Sequence, residues 1–432
     1  MVEVKKIKLT ALERSWILYD IGNSAFILLV STLIPIYFND LATTGGLNES
    51  LYLSYWGYAG SVSTLLVAVI GPICGTLADH RGFKKPIFMA CMLLGVLGCA
   101  AMGVTAGWLA FLIVFVLAKV GYSSSLVFYD AMLPEVTTDE RMDTVSSMGY
   151  AYGYIGSVIP FILCLLLVLF GGKIGVGTGT AMVVSFLITA GWWFVCTQPL
   201  LKRYRQTAFV EHGGNPVSST FRRLRDTFRE VRQKKHIFLY LLAFFFFIDG
   251  VYTIIDMATA YGTALGLDTT GLLLALLLTQ FVAFPCSIAF GRFSAKYDTG
   301  LLIKICILCY TGITLFAVFL VSQWQFWVLA VLVGMFQGGI QALSRSYLGK
   351  IIPAERSGEY FGLMDICGKG ASFLGTTLIA VVSQLTDGRS FHVFGLELQN
   401  ENIAVGTLVV IFAIGFVLFC KADKLNKQYI HI

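Results

Sequence analysis

The chain has 432 residues, of which 57% are hydrophobic and 13% charged. Soluble domains run nearer 25% charged, so a soluble globular protein is excluded. The formal net charge of +6, from 31 Lys and Arg against 25 Asp and Glu, is therefore read by position along a membrane protein and not as a nucleic-acid signal.

The stretch from Met1 to Arg14 carries Lys5, Lys6, Lys8 and Arg14 and no small-residue cleavage site, the pattern of a retained cytoplasmic tail rather than a signal peptide. A membrane span needs about 20 mostly apolar residues. Such stretches fall at 15–39, 52–78, 86–105, 108–130, 145–171 and 177–198, and again at 237–263, 270–294, 301–322, 324–350, 358–384 and 402–420. The pattern predicts an all-α membrane protein with twelve transmembrane helices. It divides into an N-terminal six-helix bundle (1–198), a basic linker (199–236) and a C-terminal six-helix bundle (237–432).

Placing the termini and the even-numbered loops on one side puts 25 of the 31 Lys and Arg there, against Lys173 and Arg389 on the other. The positive-inside rule then predicts cytoplasmic termini, in a plasma (inner) membrane. Within the linker, Ser219 to Lys235 reads as a basic amphipathic helix with Phe221, Leu224, Phe228 and Val231 on one face, or as a linker that merely follows the charge rule. Either way it is expected to contact anionic lipid of the inner leaflet, and no nucleic acid.

The two sets of six spans invite a search for repetition. Gly75-Thr-Leu-Ala-Asp79-His-Arg81-Gly82-Phe-Lys84-Lys85 joins spans 2 and 3, and Gly291-Arg292-Phe-Ser-Ala295-Lys296-Tyr-Asp298 stands at the equivalent place between spans 8 and 9. The first resembles the loop signature of the major facilitator superfamily. An Asp at such a helix end can accept from a neighbouring helix N-terminus or an Arg. With Ala295 in the Asp position, the second copy is expected to latch more weakly.

Further residues narrow the resemblance. Tyr19-Asp20-Ile-Gly-Asn23-Ser24-Ala25-Phe26 resembles the opening of the unknown-major-facilitator family, which includes the autophagy-related vacuolar amino-acid effluxers. Phe128-Tyr129-Asp130-Ala-Met-Leu-Pro134-Glu135 is similar, with Asp130 where the pattern has Asn. Asp249-Gly250, Gln280 to Pro285, Gln337 to Ser346 and Gly368-Lys369 also fit, so the match runs over about residues 15 to 390. The resemblance implies a major facilitator fold in two pseudo-symmetric halves, transport by alternating access, and a leaning towards amino acids. It also implies that spans 1, 4, 7 and 10 line the central cavity.

A charged side chain mid-helix costs about 2.5–3.5 kcal/mol to insert, so each one calls for a reason. Asp20, Lys119, Asp130, Asp249, Asp256, Arg345, Asp365 and Lys369 are deep in spans, mostly on the cavity-lining helices. Asp249 reads as the proton-coupling carboxylate or the ligand of a substrate ammonium, or else as half of an ion pair with Lys119 or Arg345. Asp256, seven residues on, shares its helix face about 10 Å further out. Asp20, Asn23 and Ser24 read as ligands for an amine or hydroxyl, or as glue between helices. Arg345, with Gln341 one turn before it, offers a fork for a carboxylate or an inner-gate ion pair. Asp365 and Lys369, at i and i+4, can neutralise one another, or Lys369 can join Arg345 as a candidate for a substrate carboxylate, with the amine facing Asp20 or Asp249. Lys119, outside the family pattern, stands with Tyr122, Ser123 and Ser125 as a determinant for an anionic group, and Gln280 joins the candidates from span 8. The loop residues Gly75, Asp79, Arg81, Gly82 and Lys84 are expected to gate.

No GxSxG, GxxxxGK or HExxH motif occurs, and the glycines of Gly175-Val-Gly177-Thr-Gly179 follow no strand. The ten cysteines fall almost all in apolar runs and read as small hydrophobes, Cys306 and Cys309 included. No enzyme, cofactor or metal is expected. The expectation is a monomeric secondary transporter of a small solute, an amino acid by preference, coupled to protons, with export as one direction open to it. The alternatives are the same fold carrying a sugar, drug or lysolipid and, more distantly, a membrane receptor or lipid-modifying enzyme.

Overall fold

A computed structural model describes residues 8–47, 49–211, 226–227, 229–386, 391–393, 396–398 and 400–430. Among the described residues, eleven helices are each long and apolar enough to cross a bilayer, or twelve with one bent pair taken as a single span. Span 1 is that pair, Ala11–Ser31 and Leu33–Thr44. Spans 2 to 6 are Glu49–Ala78, Lys84–Ala101, Trp108–Ala131, Asp139–Phe170 and Thr178–Arg203. Spans 7 to 12 are Lys235–Ala264, Thr269–Phe293, Thr299–Val318, Gln323–Ile351, Ser357–Leu385 and Leu408–Ile430. Below, the face where span 1 begins and span 12 ends is the terminal face, and the opposite one the distal face.

Several helices run past their apolar segments because polar residues extend them. Span 1 starts at Ala11, ahead of the expected 15, on a capping box between Thr10 and Glu13. Span 5 starts at Asp139, where two acids in its first turn face the positive end of the helix dipole. The 41° bend in span 1 falls at Thr32. Pro35, three residues on, has no N–H for the carbonyl one turn back, which breaks the ladder there. A two-stranded antiparallel hairpin, Phe391–Val393 with Leu396–Leu398, lies between spans 11 and 12, a small departure from an all-α reading.

The buried apolar side chains form two clusters. One gathers residues from Trp16 to Tyr204, the other residues from Val231 to Ala422 together with Ala131. Large apolar side chains such as Leu65, Leu97, Val195, Leu308 and Val410 are exposed on the outer surface. Water would not tolerate such a belt and lipid does, so the protein is integral to a membrane.

The residues of the expected linker helix are described only in part; Phe221, Leu224 and Phe228 lie outside the described residues. At its described end Val231 is buried, Thr227 donates to Glu359 at 2.6 Å, and Arg356 pairs with Glu230. That end packs on the start of span 11. Residues 204–210 fold back over the terminal face, with Gln206 Oε1 accepting Gly82 N–H at 2.9 Å and Val210 N–H donating to Asp79 O at 2.8 Å.

Candidate functional site

Spans 2 and 11 cross on bare backbone at the terminal face. Gly71 and Gly75 meet Gly358 and Gly362, and a Cβ on Gly358 would lie 2.4 Å from Gly75 O. Four glycines at i, i+4 spacing on both helices allow this approach. Beside the crossing, the Asp79 carboxylate accepts Gly358 N–H at 2.8 Å and Glu359 N–H at 3.0 Å, the free donors of the first turn of span 11. Lys84 is fully buried; its Nζ lies 3.7 Å from Asp79, 2.7 Å from Glu135 and 2.8 Å from Ser357 Oγ. Burial pushes the Asp79 carboxyl up to about 7, against the pull of Lys84 and the two N–H donors. Gly82, at φ 80°, makes the turn that a side chain would strain. Arg81 stands outside the latch, its guanidinium over the Phe209 ring.

The second loop copy is latched by other means. Ala295 contributes no acid, but Asp143 near the start of span 5 accepts Lys350 Nζ and Thr299 Oγ1, both at 2.6 Å, and Ser346 Oγ at 2.5 Å. Thr144 Oγ1 donates to Gly291 O at 2.9 Å. The weak latch expected from Ala295 is thus supplied from across the interface.

One layer deeper, Arg345 is 3% exposed and fully engaged. It donates to Asp130 at 2.9 Å and to the Ser146 hydroxyl and carbonyl, each at 2.9 Å, and lies 3.6 Å from Asp20. Its guanidinium also stacks over Trp16 and Tyr150. Tyr129 OH donates to Asp20 at 3.0 Å, and Asn23 donates to Tyr19 O at 2.9 Å. Of the two readings of Arg345, this geometry is that of the inter-half ion pair, and Asp20 and Asn23 belong to the same knot.

Above the knot the walls are polar and reachable by water. Tyr154 OH donates to Gln341 at 2.9 Å between spans 5 and 10, and Asp365 and Lys369 pair with one another within span 11. Lys119 on span 4 is half-buried, with Ser123 one turn on, and Asp256 on span 7 is exposed. Lys119 Nζ rests 5.9 Å from the Phe115 ring centre and lies within electrostatic reach of Asp256 and Lys369. No ion pair or hydrogen bond joins Lys119 or Asp256 to another of the described residues. Gln280 lines an apolar cleft between spans 7, 8 and 10 with Thr279, Gln337, Ile255, Leu276 and Val333.

Asp249 does not join them. It is fully buried between spans 7 and 11, accepting Gly375 N–H at 2.9 Å, with neither Lys119 nor Arg345 as a partner. Its face of span 7 is covered at this level and open two turns further out, so residues seven apart meet different surroundings. Sequence reasoning missed Asp143, whose carboxylate joins the two halves, and Glu135, which holds Lys84. The signal for Asp143 was an acid four residues after Asp139, opposite the loop where the repeat had lost one.

The inter-half hydrogen bonds cluster from the terminal face up to Tyr154–Gln341, so the molecule is shut on that face and its polar vestibule lies beyond the shut layers. The sequence model of the vacuole effluxer Atg22-like family matches residues 46–423. The MFS-type transporter YxiO of Bacillus subtilis (strain 168) is 39% identical over 416 residues, covering 95% of this chain and 94% of its own length. Autophagy-related protein 22-1 of Penicillium rubens is 27% identical over 271 residues, 56% of this chain and 45% of the fungal protein. Among solved structures, the E. coli fucose:proton symporter FucP has a TM-score of 0.69 at 14% identity, covering 95% of this chain and 97% of its own. The human organic anion transporter MFSD10 has a TM-score of 0.67 at 15% identity, covering 95% and 98%. These two speak for the fold alone. The chain belongs to the Atg22-like effluxer family and has the major facilitator fold; it is a transporter and not an enzyme.

Proposed function

We propose that this member of the Atg22-like effluxer family is a secondary transporter that moves a small zwitterion, an amino acid, by alternating access, with protons as the coupling ion. The observation that carries the reading is the pair left on the vestibule once Asp249 is set aside as fully buried and the remaining deep charges are matched. Asp20, Asp130 and Arg345 occupy one another, as do Asp365 and Lys369, while Lys119 and Asp256 stand unpaired on opposite halves. A cation and an anion held apart on two walls fit a molecule carrying both charges, its carboxylate towards Lys119 and its ammonium towards Asp256. The cleft beside Gln280 suits an apolar side chain. Binding both ends draws the halves together on the distal side, as alternating access requires.

The 25-to-2 division of basic residues supports cytoplasmic termini in a plasma (inner) membrane, and the basic linker supports contact with its anionic lipids. On that orientation the vestibule opens outward in this state. A single chain holds both walls of the site, in keeping with a monomer.

Counterflow of labelled solutes into liposomes tests the reading. Amino acids are expected to exchange, with Lys119→Gln and Asp256→Asn each weakening exchange and sugars ignored. Exchange of a sugar or lipid with none of any amino acid would reject it.

A further inference from the structure

Asp249 is the deep charge that the substrate reading leaves unused, and its surroundings are unusual. One carboxylate oxygen accepts Gly375 N–H at 2.9 Å; the other, Oδ2, is buried with no hydrogen-bond partner. One turn on, the Thr253 hydroxyl is fully buried and equally without a partner. Both converge on the bare Cα of Gly375, where a Cβ would lie 2.3 Å from Thr253 Oγ1 and 3.0 Å from Asp249 Oδ2.

Among the described residues, no cation pairs with this acid. Span 11 carries Asp365 and Lys369, paired with each other, and Cys367; span 12 carries its charges towards the terminal end, with Asp423 held by Lys304 and Lys427. On spans 8 and 10, Arg292 lies at the terminal end, while Arg345 and Lys350 are bound to Asp130 and Asp143. On span 7 itself Asp256 is exposed and Tyr252 half-buried, and no ion pair or side-chain hydrogen bond joins any of these groups to Asp249 among the described residues. Two oxygens and an N–H donor also make a poor shell for a metal cation, which takes about six oxygens. A proton satisfies the geometry directly. As the neutral acid, Asp249 still accepts Gly375 N–H on one oxygen, and the buried charge that a single N–H donor would otherwise have to answer is gone.

We propose that Asp249, outside the substrate vestibule, is the carrier of the coupling proton, and that its contact with Gly375 links the loss of that proton to the movement of span 11. The inference rests on the transporter reading and deepens it. On release, the Asp249 O–H bond breaks and the proton passes to water. The carboxylate left behind needs water or further donors, which spans 7 and 11 must part to supply. Span 11 is the helix whose start is latched by Asp79, so the same rigid element meets the proton site and the terminal gate.

The test uses the full chain in two assays. In liposomes, Asp249→Asn is expected to keep amino-acid counterflow within about twofold of wild type while pH-driven accumulation falls about tenfold or more. Entrapped pH dye should then report no proton movement with the solute. Wild-type accumulation by Asp249→Asn, or loss of counterflow together with accumulation in a protein that melts normally, would overturn the proposal. The second assay needs no cargo: melting in detergent between about pH 5 and 9, in an Asp79→Asn background. With Asp249 intact, stability should fall as pH rises, and with Asp249→Asn the fall should be shallower. A slope unchanged by Asp249→Asn rejects the proton site, whereas absence of amino-acid exchange in the wild type rejects the cargo alone.

Discussion

A Cβ placed on Gly75 would lie 2.3 Å from the carbonyl oxygen of Gly358, so the two halves of the transporter touch backbone to backbone on the shut face. Because the obstacle is main chain and not a flexible side chain, Gly75→Ala has to push the helices apart. Overpacking of this kind costs about 1–3 kcal/mol, a shift of about 5- to 150-fold against the closed face. Alkylation of a reporter, Ser147→Cys, buried at the second crossing, is expected to quicken accordingly over the background of the native thiols.

The Asp79 latch should respond to pH. In the closed state its carboxyl sits at about 7, and once the face opens to water it returns towards its ordinary 3.8. The closed face binds the proton more tightly, so its advantage is full below about pH 4 and is lost as pH rises through about 7. The same reporter should react faster at high pH, and Asp79→Asn should flatten the curve.

Removing Arg345 leaves Asp20 and Asp130 facing each other without their cation. Breaking a buried pair by deleting one partner costs about 3–5 kcal/mol. Arg345→Ala is expected to melt far below the wild type in detergent, Arg345→Lys to fall between because an ammonium cannot reproduce the fork, and Arg345→Ala with Asp130→Asn to recover part of the loss.

The proposed clamp makes a prediction about substrate charge. Lys119→Gln should raise KM for the amino acid by about tenfold, near 1.4 kcal/mol, and leave that for the decarboxylated amine unchanged. Asp256→Asn should do the converse with an N-acylated substrate. Equal effects on charged and neutralised substrates would remove the clamp.

Much of this was legible because it is local. Asp365 and Lys369 pair as their i, i+4 spacing predicts, the span positions follow from apolar runs, and Asp79 meets a helix N-terminus as its loop suggests. Partners far apart in sequence were not legible. Arg345 lies 215 residues from Asp130, and nothing in either segment chooses a carboxylate of the protein over one of a substrate. Asp249 and Asp256 do share a face by periodicity, but periodicity says nothing of how far along the axis span 11 stays in contact. The bend at Thr32 was readable in principle from Pro35, and the start of span 1 from Thr10 and Glu13.

The latches also have a direction. Asp79, Asp143, Asp20 and Asp130 all come from the first half, and what they hold, the amides of Gly358 and Glu359, Lys350 and Arg345, all belongs to the second. Two copies of the first half would lack the Lys350 and Arg345 that answer Asp143, Asp20 and Asp130. The halves are therefore plug and socket, not interchangeable repeats: expressed as separate fragments they should associate only as unlike pairs.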